Sequence, residues 1–237
     1  MFSIGMWSWE VPWQRPEWWI PIVDRLVQAG VTHWAVKVAD GTSKMNGPNL
    51  APAAAYAQAQ GLHVWAWGYV RDNRFSNAVQ EGTLLGQRAS AMEANGVILD
   101  IEREWQRDDR AAIVQLTGNV RRTFQGPMYG SSYSTVSLHP EFPWDQFTPA
   151  LDGWMAQVYQ VPAAEWALRS YTEFTKLGKD VILTGIGSTQ MGSASDTQAF
   201  LQQCQALDCC ANLWEYSEMN DLMWQVVQSF TRKGGDA

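Results

Sequence analysis

The chain is short of almost everything that marks a protein for nucleic acid, membrane or metal. Its 17 Lys and Arg face 24 Asp and Glu, giving a net charge of −7 and a pI near 4.9. A general nucleic-acid binder needs a basic face to displace counterions, so that partner is not expected. Capture by an anionic membrane is not expected either. No apolar run approaches the ~20 residues that span a bilayer. The opening "MFSIGMWSW" lacks the basic and apolar regions of a secretory signal. The expectation is a protein that is cytoplasmic as synthesised, and released by lysis or carried in a virion rather than secreted. His33, His63 and His139 show no ligand spacing with the acids, and no metal or cofactor is expected. Cysteine is scarce too: Cys204, Cys209 and Cys210 cluster in "CQALDCC", an odd number without paired spacing. They read as buried or half-buried free thiols rather than zinc ligands or disulfides.

Tryptophan is what the chain has in excess, with fourteen in 237 residues. So large an apolar surface is costly to leave idle in water. Some of these rings must be core. The rest invite a ligand with flat apolar faces, such as a sugar.

Periodicity organises the chain into eight alternating pairs. The strand readings are "FSIGM", "THWAVKVAD", "LHVWAWGYV", "VILDIE", "GPMYGSS", "GWMAQVYQ", "KDVILTGIGS" and "ANLWEYS". Helical spacing follows each, from "PEWWIPIVDRLVQAG" to "NDLMWQVVQSFTRK", with Ser76 read as the cap of the third helix. Strict alternation argues for parallel strands with crossover helices, and eight such units close into a single (β/α)₈ barrel. An open doubly wound sheet should carry a nucleotide signature after its first strand, and "GMWSWEVP" is not one. One domain is expected over residues 1–231, with a disordered tail at 232–237.

Within that frame "GVILDIEREW", residues 96–105, is unusual. A buried strand ends in acids at every second position: Asp100, Glu102 and Glu104. Active sites of this fold sit at the C-terminal strand ends. Strand alternation places Asp100 and Glu102 on one face, toward the barrel mouth, while Ile101 packs outward and Glu104 falls in the loop. Two like charges in a half-buried site push one pKa up. The raised group can act as general acid while the other stabilises positive charge, the division of labour of glycoside hydrolysis. Glu102, with the longer reach, is read as the acid and Asp100 as its electrostatic partner. Ion pairing with Arg103, Arg107 or Arg110, or metal binding, are the competing readings of these acids.

The order of motifs resembles the family 25 glycoside hydrolases, the muramidase-type lysozymes. Asp100-Ile101-Glu102 matches that family's Asp-x-Glu at the end of the fourth strand. "KVADGT", "AQAQGLHVWAWGYV", "WMAQVYQ" and "LWEYSEMND" resemble its second-, third-, sixth- and eighth-strand motifs. The resemblance implies a retaining, substrate-assisted cleavage of β-1,4 links in peptidoglycan or a related amino-sugar polymer. In it the N-acetyl group attacks the anomeric carbon and Asp100 steadies the developing charge. It also implies substrate contacts at Asp40 and Glu215, which replace the family's Glu and Gln, and at Trp7, where the family carries Asp.

Further candidates come from position. Trp67 and Tyr69 share a parity near the end of the third strand and can floor a sugar subsite; layering in the barrel core is the competing reading of Trp67 and the favoured one of Trp65. Trp7, Trp9 and Trp13 form an aromatic wall or staple the first loop. Gln157 and Tyr159 share a parity at the end of the sixth strand, and Tyr129 ends the fifth. All three can hydrogen-bond an acetamido group. Lys37 needs a partner if buried, and Asp100 and Glu215 across the barrel are candidates. "TGIGSTQMGS" has no basic residue to favour phosphate, so a barrel enzyme on a phosphorylated metabolite ranks last. The main alternative to a hydrolase is a non-catalytic barrel that binds glycan or serves in a larger assembly such as a phage particle.

Overall fold

The computed structural model describes residues 2–46, 50–71, 74–106, 110–187 and 192–231. The expected tail at 232–237, Arg107 and residues 188–191 of the glycine-rich stretch lie outside them. Eight parallel strands close a ring: β1 (Ile4–Ser8), β2 (His33–Asp40), β4 (His63–Val70), β5 (Gly96–Ile101), β6 (Met128–Ser132), β7 (Gly153–Val158), β8 (Asp180–Ile186) and β9 (Ala211–Trp214). The β1–β2 pairing completes the circle. A two-residue strand not expected from the sequence, β3 (Ser43–Lys44), folds back antiparallel on Ala39–Asp40. The helices are α1 (Pro16–Gln28), α2 (Ala51–Ala59), α3 (Phe75–Ala91), α4 (Arg110–Thr123), α5 (Trp144–Phe147), α6 (Ala163–Phe174), α7 (Ala194–Ala206) and α8 (Asp221–Thr231). The chain is a single (β/α)₈ barrel. No described helix is long and apolar enough to cross a membrane.

Local chemistry accounts for these elements. Pro16 at the first turn suits α1, whose Trp19, Ile22, Val23 and Leu26 share the buried face. α7 starts with a reciprocal capping box between Ser193 and Asp196. Ser76 does not cap α3: the helix begins one residue earlier, after Arg74, and has no side-chain cap. Strand parity sorts two cores. Trp34, Val36 and Val38 of β2 pack outward among helices, while Ala35 faces inward with Trp7, Trp67, Ile98 and Met155. The three thiols are free, with Cys204 and Cys209 buried.

The strand N-termini are plugged by large rings set across glycines in direct register. Trp65 of β4 lies opposite Gly96, and Tyr129 of β6 lies opposite Gly153. A Cβ on Gly96 would sit 2.2 Å from the Trp65 ring, and one on Gly153 would sit 2.2 Å from that of Tyr129. Only glycine leaves room for these rings. The two rings meet edge to face at 5.3 Å and close that end.

Candidate active site

The opposite end gathers the acids. Asp100 is the fifth residue of β5 and is 5 % exposed. Its Oδ1 accepts a hydrogen bond from Gln157 Nε2 at 2.8 Å. The same amide also donates to Ser131 Oγ of β6 at 3.2 Å. Burial and the neighbouring Glu102 push the Asp100 carboxyl well above its ordinary range, against the opposing pull of Lys37 and Gln157. Burial also raises Glu102, aided by Glu104 and opposed by Gln157 and Tyr69. Two acids raised together titrate as a unit and hold a proton between them at higher pH than either would alone.

Glu104, expected in the loop, is brought back to this mouth. A 3₁₀ turn at Arg103–Trp105 follows β5, anchored by fully buried Trp105. The Trp105 Nε1 donates to Val70 O at 2.9 Å. Tyr69 Oη donates to Glu104 Oε2 at 2.9 Å. Arg103 pairs with Glu104 at 3.5 Å and is exposed. Among the described residues no arginine pairs with Asp100 or Glu102. No group of three described His, Cys, Asp or Glu side chains is placed to hold a metal.

Lys37 has no exposed side chain and donates to Asp40 Oδ2 at 2.8 Å. Its expected partners lay across the barrel, but the partner is three residues on. A bulge in β2 explains this. Lys37 stands opposite Trp67 and Asp40 stands opposite Tyr69, so the extra residue between them turns both side chains inward. Arg71 reaches the other Asp40 oxygen. The Lys37 ammonium lies 3.2 Å from the ring centre of Trp9 and 4.9 Å from that of Trp67. Burial lowers its pKa, while Asp40 and Asp100 hold it up.

The remaining expected contacts divide. Tyr69 and Tyr159 are half-buried at the mouth. Burial, together with Asp100 and Glu102, holds the Tyr159 hydroxyl protonated. Glu215 follows β9, is 5 % exposed, and accepts from the Trp9 backbone N–H at 3.0 Å and from Ser217. Three expectations need correction. Trp7 and Trp67 are 1 % and 0 % exposed, because their inward parity places them in the barrel core with ring centres 4.9 Å apart. They support the site from below and offer no face to a ligand. Tyr129 is the second residue of β6 rather than its end. It therefore lies at the plugged N-terminal end, with its hydroxyl 3.3 Å from Asp180. Tyr133 was missed. It stacks on His139 at 3.6 Å, takes a hydrogen bond from Gln106, and is pushed up to about 12, first by burial and then by Glu102.

No protein-family model matches the chain, and no curated protein matches it. Solved structures do. The GH113 β-mannanase AaManA of Alicyclobacillus acidocaldarius superposes with a TM-score of 0.71 at 13% identity, over 98% of this chain and 96% of that one. The GH18 chitinase ChiB of Flavobacterium johnsoniae gives 0.68 at 8% identity, over 98% and 94%. The spore cortex-lytic enzyme SleL of Bacillus megaterium gives 0.65 at 8% identity, over 96% and 73%. At such identities the likeness speaks for the fold alone.

Proposed function

We propose that the protein is a glycoside hydrolase that cleaves β-1,4 links in an amino-sugar polymer, peptidoglycan or a relative of it. The observation that carries this reading is the Asp100–Glu102 pair. Both carboxyls are raised by burial at the strand-end mouth, and among the described residues no arginine forms an ion pair with either, Arg103 opposing the rise of Glu102 without pairing with it. The glycan-cleaving neighbours named above lend support through a shared architecture. Their spread over mannan, chitin and spore cortex leaves the sugar to be argued from the site.

The proton shared by the acids is the working element. Positive charge developing at the anomeric carbon beside Asp100 favours its ionised form, with Lys37 and Gln157 already pulling the same way. The proton then resides on Glu102, which delivers it to the leaving oxygen as the glycosidic bond breaks. The substrate's acetamido oxygen bonds to the anomeric carbon, and Asp100 balances the charge on the acetamido nitrogen. Water opens this ring after losing a proton to the Glu102 carboxylate, which restores the starting state. In this reading Tyr159 and Gln157 hold the acetamido group.

The test is release of reducing ends from peptidoglycan, chitin and mannan by wild type and Glu102→Gln. The reading expects release from an amino-sugar polymer and a loss of at least about 10²-fold in the variant. Equal activity in the two proteins contradicts it. One observation favours a second reading, a barrel that binds glycan without cutting it. The first strand, where the resembled family carries Asp, delivers buried Trp7 and no carboxylate to the mouth. Saturable binding without reducing ends would select that reading.

A further inference from the structure

A cleft of about 740 Å³ opens beside the ends of β1 and β9, across the ring from Asp100. Trp9, Trp13, Glu10, Glu215, Glu218 and Asn46 are among its walls. Trp9 is held through both its backbone and its ring. Its N–H donates to Glu215 at 3.0 Å and its carbonyl accepts from Asn46 Nδ2 at 2.9 Å. Its ring rests on the Lys37 ammonium and meets Trp67 and Trp214 at 5.7 and 5.8 Å. It is still 37 % exposed. A large flat ring held rigid and open at the mouth of a cleft is a ready platform for another flat apolar face.

The charge of the cleft is one-sided. Among the described residues its ionisable lining is Glu10, Glu215 and Glu218, with no Lys or Arg. The ammonium of Lys37 lies beneath Trp9, bound to Asp40 and shielded from the cleft. Arg15 is turned to Glu17 and Trp18, and Lys44 is exposed on β3 outside the lining. A carboxylate entering this space meets like charge on the described walls, whereas an amine meets opposite charge.

We infer that this cleft is a sugar subsite with Trp9 as its platform, which admits amine-bearing and neutral sugars and turns away carboxylate-bearing ones. The inference rests on the glycan reading of the mouth and narrows it. The sugar seated here carries a free amine or an N-acetyl group, and a lactyl-bearing muramic residue is placed elsewhere along the chain.

Calorimetric titration of the whole Glu102→Gln chain tests this with three probes: the tetramers of glucosamine, N-acetylglucosamine and galacturonic acid. The glucosamine tetramer should bind at least about tenfold more tightly than the galacturonic one, with N-acetylglucosamine between, and the gap should shrink with salt. Glu10→Lys, at an exposed position that tolerates the change, should narrow the ratio about threefold or more. Trp9→Phe should weaken all binding. Equal affinity for the amine and carboxylate tetramers, or an unchanged ratio in Glu10→Lys, overturns the subsite. Wild-type hydrolysis without charge ranking overturns the subsite alone. Charge ranking without hydrolysis keeps the subsite and overturns cleavage. Failure of all three probes to bind overturns both.

Discussion

The two ends of this barrel share the same strands and differ in what they ask of pH. At the N-terminal end Trp65 and Tyr129 lie over Gly96 and Gly153, and His33 is half-buried beside Asn212 with its Nε2 shut off from solvent. Burial drives the His33 pKa down to about 4, with His63 adding to the effect. At the C-terminal end Asp100 is buried and Glu102 half-buried, and loss of water drives both up. Both ends prefer neutral side chains, so they respond to pH with opposite sign. His33 supports the fold fully above its unfolded value of 6.5, and that support is lost as pH falls toward 4. The acid pair is at no disadvantage below the ordinary carboxylate values of 3.8 and 4.5, and weighs against the fold as pH rises through its raised values. One end is sealed and stable at neutrality. The other holds a strained charge balance there, as a reactive site does.

Asp100→Asn should break this contrast most strongly. Reducing-end release should fall about 10²–10³-fold, the size of a lost electrostatic stabilisation of the transition state. The melting temperature at neutral pH should instead rise by at least about 2 °C, because a neutral amide replaces an acid that resists ionising. Below the ordinary carboxylate range that stability gain should vanish. A loss of stability at neutrality would show that Asp100 is structural.

His33→Gln probes the other sign. Denaturant titrations of wild type should lose up to about 3 kcal/mol between neutrality and pH 4 through this residue, and the variant should lose less over the same window. Parallel curves for the two proteins would remove His33 from the account.

How far these ends were legible in the sequence follows from the same physics. The alternation of strands and helices gave the barrel, and acids at the tip of "VILDIE" marked the end proposed here as catalytic. Inward parity correctly separated Asp100 from Ile101. Parity says which face a residue takes and not how deep it lies. Trp7, Trp67 and Tyr129 were therefore expected at the mouth when two are core and one is at the far end. The bulge that joins Lys37 to Asp40 leaves no periodic mark, so a partner was sought across the ring. Glu104 and Tyr133 come to the site through a turn and a loop, which depend on tertiary anchors such as Trp105.

Gly96→Ala sharpens the sealed end. A methyl 2.2 Å from the Trp65 ring must displace it. A stability loss of about 1–3 kcal/mol is expected in denaturant melts, with activity per folded molecule kept. Unchanged stability would mean that the ring is free to move. The smallest effect is expected from Lys37→Met. Removing the cation that favours ionised Asp100 should raise the pair further and carry the alkaline limb of kcat/KM upward. A downward shift would give Lys37 another role.

Carbon-13 titration of the Asp100 and Glu102 carboxyls addresses the shared proton itself. With both signals assigned by single-residue substitution, the pair should titrate in two coupled steps, the upper one above the ordinary carboxylate range, so that one proton persists as neutrality is approached. Two independent transitions at ordinary carboxylate values would contradict the claim that this mouth keeps an acid ready for a sugar bond.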